Sequence, residues 1–208
     1  MSIPVYYAVR EEETTKEPAG HLAQIGFGMS SDGVLRLPER VMNGPIIIDD
    51  AVISGWSGET ISALSAYCSN GYFLDFERSP CETHREIIEG LPKGTLLGLP
   101  WLFYPWAGHG LPILSCPRPC NSWKQFLKNC QQQFPGGWLL EVTPWHHVRP
   151  ASQGTETGFL PYALCHYQRK NGHILYYDTE KTIKEKLSLA EQFSCRAGVA
   201  LLEEIRSL

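Results

Sequence analysis

The chain has 208 residues, 43% of them hydrophobic and 19% charged, which is enough to bury one full core. A net charge of −4 and an isoelectric point near 6.0 give no basic footprint for nucleic acid or for an anionic membrane surface. No apolar run reaches the roughly 20 residues of a membrane-spanning helix.

The N-terminus, Met1-Ser2-Ile3-Pro4-Val5-Tyr6-Tyr7, lacks a basic segment leading into a long apolar one, so no signal peptide is expected. Seven cysteines are an odd number and are scattered rather than spaced as a framework. That pattern predicts reduced thiols and a cytoplasm-like compartment. Cys116 and Cys120 form the one close pair, with no two further ligands nearby, and the adjacent His146 and His147 would point to opposite sides of an extended chain. Neither a metal nor another cofactor is expected.

In chain order, Val5 to Val9 predicts a first strand and Leu22 to Met29 a second, with a charged surface segment between them. Asp32-Gly33 and Pro38 leave room only for a short helix before a third strand, Pro45 to Asp50, whose unbroken isoleucines predict burial on both faces. Ser57 is placed to cap a helix reaching Cys68. Next comes Asn70-Gly71-Tyr72-Phe73-Leu74-Asp75-Phe76-Glu77, an aromatic strand ending in two carboxylates two residues apart, hence on one face.

A helix over Glu82 to Leu91 and a strand over Thr95 to Pro100 follow. Trp101 to Pro119, rich in aromatics, glycine and proline, predicts a long loop with a short extended piece at Ile113 to Ser115. Asn121 is expected to cap a helix ending near Phe134, ahead of a strand from Trp138 to Pro144. Tyr162 to Gln168 and His173 to Tyr177, joined at Asn171-Gly172, suit a hairpin with a type I′ turn. The helix from Thr179 to Phe193 precedes a last buried strand, Ala197 to Leu202.

This is α/β alternation over about eight strands, read as a single domain spanning residues 1–208. An open doubly wound sheet loses its main support, since neither a Gly-x-Gly-x-x-Gly turn nor a phosphate-binding lysine loop is present. The expected fold is a compact (β/α)8 TIM-like barrel with some helices reduced or missing, those after the first two strands above all. Sites in such barrels gather at the C-terminal ends of strands. That places Asp49, Asp50, Asp75, Glu77, Trp101, Glu141, Trp145 and Glu203 as candidates, a mixture of acids and indoles suited to a carbohydrate.

Residues Asn70 to Glu77 resemble the fourth-strand motif of glycoside hydrolase family 18, the chitinases and endo-β-N-acetylglucosaminidases, which reads Asp-Gly-x-Asp-x-Asp-x-Glu. The run from Ile174 through the last helix to Leu201 is similar to that family's final strand, helix and strand. The resemblance implies β-linked N-acetylglucosamine glycans as substrates and a substrate-assisted mechanism. Glu77 would be the general acid, and Asp75 the carboxylate that orients the substrate's acetamido group. Asp49, Trp101, Glu141 and Trp145, from their places at strand ends, are expected on the sugar.

Asn70 and Phe73 stand where the motif has aspartates, and Leu202 where the last strand carries a tryptophan. The tyrosine and aspartate of the family's sixth strand have no counterpart in Leu140-Glu141-Val142-Thr143. These departures support an alternative, a non-catalytic barrel that binds a glycan or a protein partner.

Overall fold

The computed structural model describes residues 3–9, 21–29, 35–36, 44–50, 57–67, 70–117, 121–151 and 153–206. They divide into two compact units, one from Tyr6 to Leu114 and one from Met1–Val5 and Ser115–Leu208. Among the described residues, no helix is long and apolar enough to cross a membrane.

The first unit is built on a parallel sheet. Its strands are β1 (Val5–Val9), β2 (His21–Met29), β3 (Leu35–Arg36), β4 (Ile46–Asp49), β5 (Gly71–Asp75), β6 (Leu96–Pro100) and β7 (Leu111–Ser115). Each of β1, β2, β4, β5, β6 and β7 pairs in parallel with the next, and the short β3 runs antiparallel to β2. Helix α1 (Gly58–Tyr67) leads into β5, and α2 (Glu82–Gly90) joins β5 to β6. Ser57 caps α1 as its sequence predicts, its hydroxyl accepting from Thr60 N–H at 3.3 Å while Thr60 Oγ1 accepts from Ser57 N–H at 3.3 Å.

Side-chain alternation sorts these strands into two faces. Ile46 and Ile48 of β4, Tyr72 and Leu74 of β5 with Phe76 beyond it, and Leu97 and Leu99 of β6 pack with Ile87, Ile88, Leu91 and Phe103 in one apolar cluster. That is the helix side. Ile47, Asp49, Phe73 and Asp75 therefore share the opposite face. There Phe73 meets Tyr6 of β1 edge to face, ring centroids 5.3 Å apart.

Gly71 opens β5 at a φ of +136°, and a Cβ there would fall 2.5 Å from the Leu96 carbonyl oxygen of β6. Both the dihedral and the space require glycine. Gly71→Ala is expected to cost roughly 1–3 kcal/mol, read as a lower urea midpoint at unchanged slope.

The second unit contains α3 (Trp123–Gln133), β8 (Trp138–Val142), β9 (Trp145–Pro150), β10 (Glu156–Leu160), β11 (Cys165–Lys170), β12 (His173–Tyr177), α4 (Glu180–Glu191), β13 (Cys195–Leu201) and α5 (Leu202–Arg206). Strands β8 and β13 pair in parallel, and β10, β11, β12 and β9 form a separate antiparallel sheet in that order. Its hairpin turn is the expected one, with Asn171 at φ 51° and Gly172 at φ 72°. Buried in this unit, Lys186 Nζ reaches Asp178 Oδ2 at 2.6 Å, Thr182 Oγ1 donates to Asp178 Oδ1 at 2.9 Å, and the ammonium lies 5.3 Å from the Trp123 ring centroid.

Several expectations are corrected. Leu111–Ser115 is a full strand and the sixth parallel one, so Trp138–Val142, which carries Glu141, is the seventh rather than the sixth. The hairpin strands β11 and β12 belong to the antiparallel sheet, so Ile174 to Tyr177 is not a parallel strand of the last unit. Ser122, not Asn121, caps α3, its hydroxyl accepting from Gln125 N–H at 3.4 Å. The final strand stops at Leu201 because Leu202 begins α5. Trp101–Trp106 is a 3₁₀ helix instead of a loop. The segments expected to lack helices after the first two strands lie largely outside the described residues.

Candidate active site

Strand β5 is the fourth parallel strand in chain order, after β1, β2 and β4. Its last residue, Asp75, is exposed and sits in register beside Asp49, the half-buried last residue of β4. Glu77 follows two residues later and is also exposed, while Phe76 between them is buried in the apolar cluster. The alternation thus continues past the strand and turns both carboxylates away from the helix side. On the next strand, Trp101 stands immediately beyond β6 with 58% of its surface exposed. Four candidates, Asp49, Asp75, Glu77 and Trp101, therefore share the C-terminal edge of three neighbouring strands.

Three others belong to the second unit. Glu141 lies on β8, where the Ser115 hydroxyl donates to its carboxylate, and Trp145 is the first residue of β9. Glu203 falls in α5 rather than at a strand end.

Asp50 does something its neighbour does not. Successive side chains leave a strand on opposite faces, so as Asp49 turns toward Asp75, Asp50 turns toward α2. Its Oδ2 accepts from the backbone N–H groups of Glu77 and Arg78, each at 2.8 Å, and its Oδ1 accepts from His84 Nε2 at 2.9 Å. One carboxylate thereby fixes the chain direction at Glu77 from a point 27 residues away.

Burial alone would raise the Asp50 pKa. The bonds from His84, Arg78 and Glu77 outweigh it and hold the carboxyl below the usual carboxylate range. A carboxyl whose folded pKa is depressed stabilises the fold above its unfolded value, about 4, and loses that contribution as pH falls through the folded one. Asp50→Asn is accordingly expected to flatten the acid limb of a urea-stability profile below about pH 4.

Arg78 forms no ion pair with Glu77 among the described residues, so the acid is not sealed by its neighbouring cation. Phe73, where the resembled motif has an acid, is 2% exposed and covered by Tyr6, whose phenol burial pushes up in pKa. The departure is thus a packed apolar contact. Among the described residues, no group of three or more histidine, cysteine, aspartate and glutamate side chains is arranged to hold a metal ion.

In the sequence, Asp49 and Asp50 are equivalent acids at a strand end, and nothing marks His84. The usable signal for Asp50 is the tandem pair at a strand end, which must divide between two faces. His84 lies 34 residues from Asp50 and carried none.

No protein-family model and no curated protein matches this sequence. Solved structures do match. A chitinase from Rhizomucor miehei superposes with a TM-score of 0.66 at 11% identity, over 97% of this chain and 95% of its own. The family 18 chitinase of Cycas revoluta in complex with (GlcNAc)3 gives 0.59 at 10% identity, over 95% of this chain and 94% of its own. The spore cortex-lytic enzyme SleL of Bacillus cereus gives 0.60 at 10% identity, over 96% of this chain and 70% of its own.

At these identities the likeness is one of fold. The chain has the compact (β/α)8 TIM-like fold of these enzymes, with eight parallel strands and few helices among the described residues.

Proposed function

We propose that this protein is a glycoside hydrolase acting on β-linked N-acetylglucosamine-containing glycans, with Glu77 as general acid and Asp75 as the carboxylate that orients the substrate. The observation that carries the reading is the pairing of two exposed carboxylates, on one face, at the C-terminal end of the fourth parallel strand of a barrel similar in fold to family 18 chitinases. Glu77 would protonate the glycosidic oxygen. Asp75, on the side of the attacked carbon, would hold the acetamido group as its oxygen attacks, and would stabilise the cationic ring that forms. Trp101 offers an indole face for the apolar side of a pyranose. Solved structures of similar fold include a chitinase holding N-acetylglucosamine oligomers, which supports that ligand class.

A second reading is favoured by Phe73, whose packing on Tyr6 replaces an acid of the resembled motif. In that case the barrel binds the glycan without cleaving it. Release of reducing ends from N-acetylglucosamine oligomers, measured beside saturable binding of the same oligomers, separates the two. Binding with no release selects the second reading, and release that Glu77→Gln abolishes selects the first.

A further inference from the structure

Three residues around α2 form a constellation that the carbohydrate chemistry does not use as a unit. Cys81 Sγ lies 3.1 Å from His84 Nδ1, and His84 Nε2 lies 2.9 Å from Asp50 Oδ1. Cys81 is exposed, whereas the His84 side chain is 1% exposed.

The placement of protons follows from a neighbour that can only donate. The backbone N–H of Cys81 points at His84 Nδ1 from 3.1 Å. Nδ1 must therefore present a lone pair, and the ring proton sits on Nε2 facing the carboxylate. Phe76 and Phe103 hold the imidazole between them, at centroid distances of 4.6 and 4.9 Å. Cys81 is also the N-cap residue of α2, and His84 stands at the third position of that helix.

The order is nucleophile, base and orienting carboxylate. We propose that Cys81 is an acyl-accepting nucleophile, with His84 as its base and Asp50 as the residue that positions the base, for activated acyl groups such as aryl esters and thioesters.

As Cys81 Sγ attacks the carbonyl carbon, the Cys81 N–H gives up its bond to His84 Nδ1, and the freed lone pair takes the thiol proton. Collapse of the tetrahedral intermediate keeps the new S–C bond and breaks the bond from that carbon to the leaving oxygen or sulfur. The leaving group receives the proton from His84. No atom changes oxidation state.

The other described thiols are unsuited to the same step. Burial pushes Cys130, Cys195 and Cys116 up to about 12 and Cys165 to about 11, so they stay protonated at neutral pH.

The competing account is that His84 only caps α2, and p-nitrophenyl acetate distinguishes the two. The intact chain is incubated with the ester at neutral pH, p-nitrophenolate release is followed, and the acetylated peptide is located by mass spectrometry. Acetylation of Cys81 is expected first, at least about 100-fold faster than that of N-acetylcysteine. His84→Gln is expected to lose this excess, because an amide can accept from Cys81 N–H and donate to Asp50 yet cannot take a proton. Cys81→Ala should remove the fast phase. A Cys81 rate equal to that of N-acetylcysteine, full speed in His84→Gln, or a fast phase that survives Cys81→Ala would each overturn the proposal.

Discussion

Glu77→Gln is expected to lose at least about 100-fold in turnover of an aryl chitobioside while melting at the parent temperature. The two halves of that result have separate causes. The Glu77 side chain is exposed, and among the described residues its carboxylate takes part in no ion pair, so the fold has little to lose. What the fold does use is the backbone N–H, which donates to Asp50 and is unchanged by the substitution. Glutamine keeps the shape of the acid and removes its proton, so the loss should fall on kcat with KM nearly constant. Unchanged turnover would place the acid elsewhere and remove the assignment.

The largest expected effect on stability comes from Lys186→Met. Lys186 and Asp178 are 5% and 1% exposed, and their 2.6 Å contact is the charge partner of a carboxylate that also accepts from Thr182. Removing the cation alone leaves a buried anion, at a cost of about 3–5 kcal/mol. For a chain of this size that lowers the melting temperature by roughly 6–20 °C. The double variant Lys186→Met with Asp178→Asn removes both charges and is expected to recover much of the loss, because the penalty lies in the unpaired charge. A single variant that melts with the parent would show that water reaches Asp178.

Much of the barrel is written in local signals. The Gly71 break, the run of apolar residues to Phe76 and the acids after it mark β5, and Ser57, Thr179 and the Asn171-Gly172 turn mark their elements by side-chain chemistry that acts within a few residues. Strand β7 is hidden by Pro112, which removes a ladder donor and reads as a break, although the residue sits opposite Leu99 in the parallel register. Strands β9 and β10 mix polar and apolar residues, with Val148 59% and Phe159 40% exposed, so they carry no clean alternation. At the site, the period of a strand is enough to align Asp75 with Glu77. The bonds that fix Glu77 from Asp50, and Asp50 from His84, close over 27 and 34 residues, a separation at which sequence spacing holds no geometric information.

The contact between Phe73 and Tyr6 bears on how such a barrel could be re-engineered. An aspartate at position 73 alone would be a charge set against an aromatic ring with no water to solvate it, and it would take up a proton rather than serve as an anion behind Asp75. Reinstalling an acid there requires rebuilding the contact at position 6 in the same step, so that a hydrogen-bond donor rather than the Tyr6 ring faces the carboxylate. Positions 6 and 73 are thus one unit of inheritance, and a library that varies them singly will miss the combination that works.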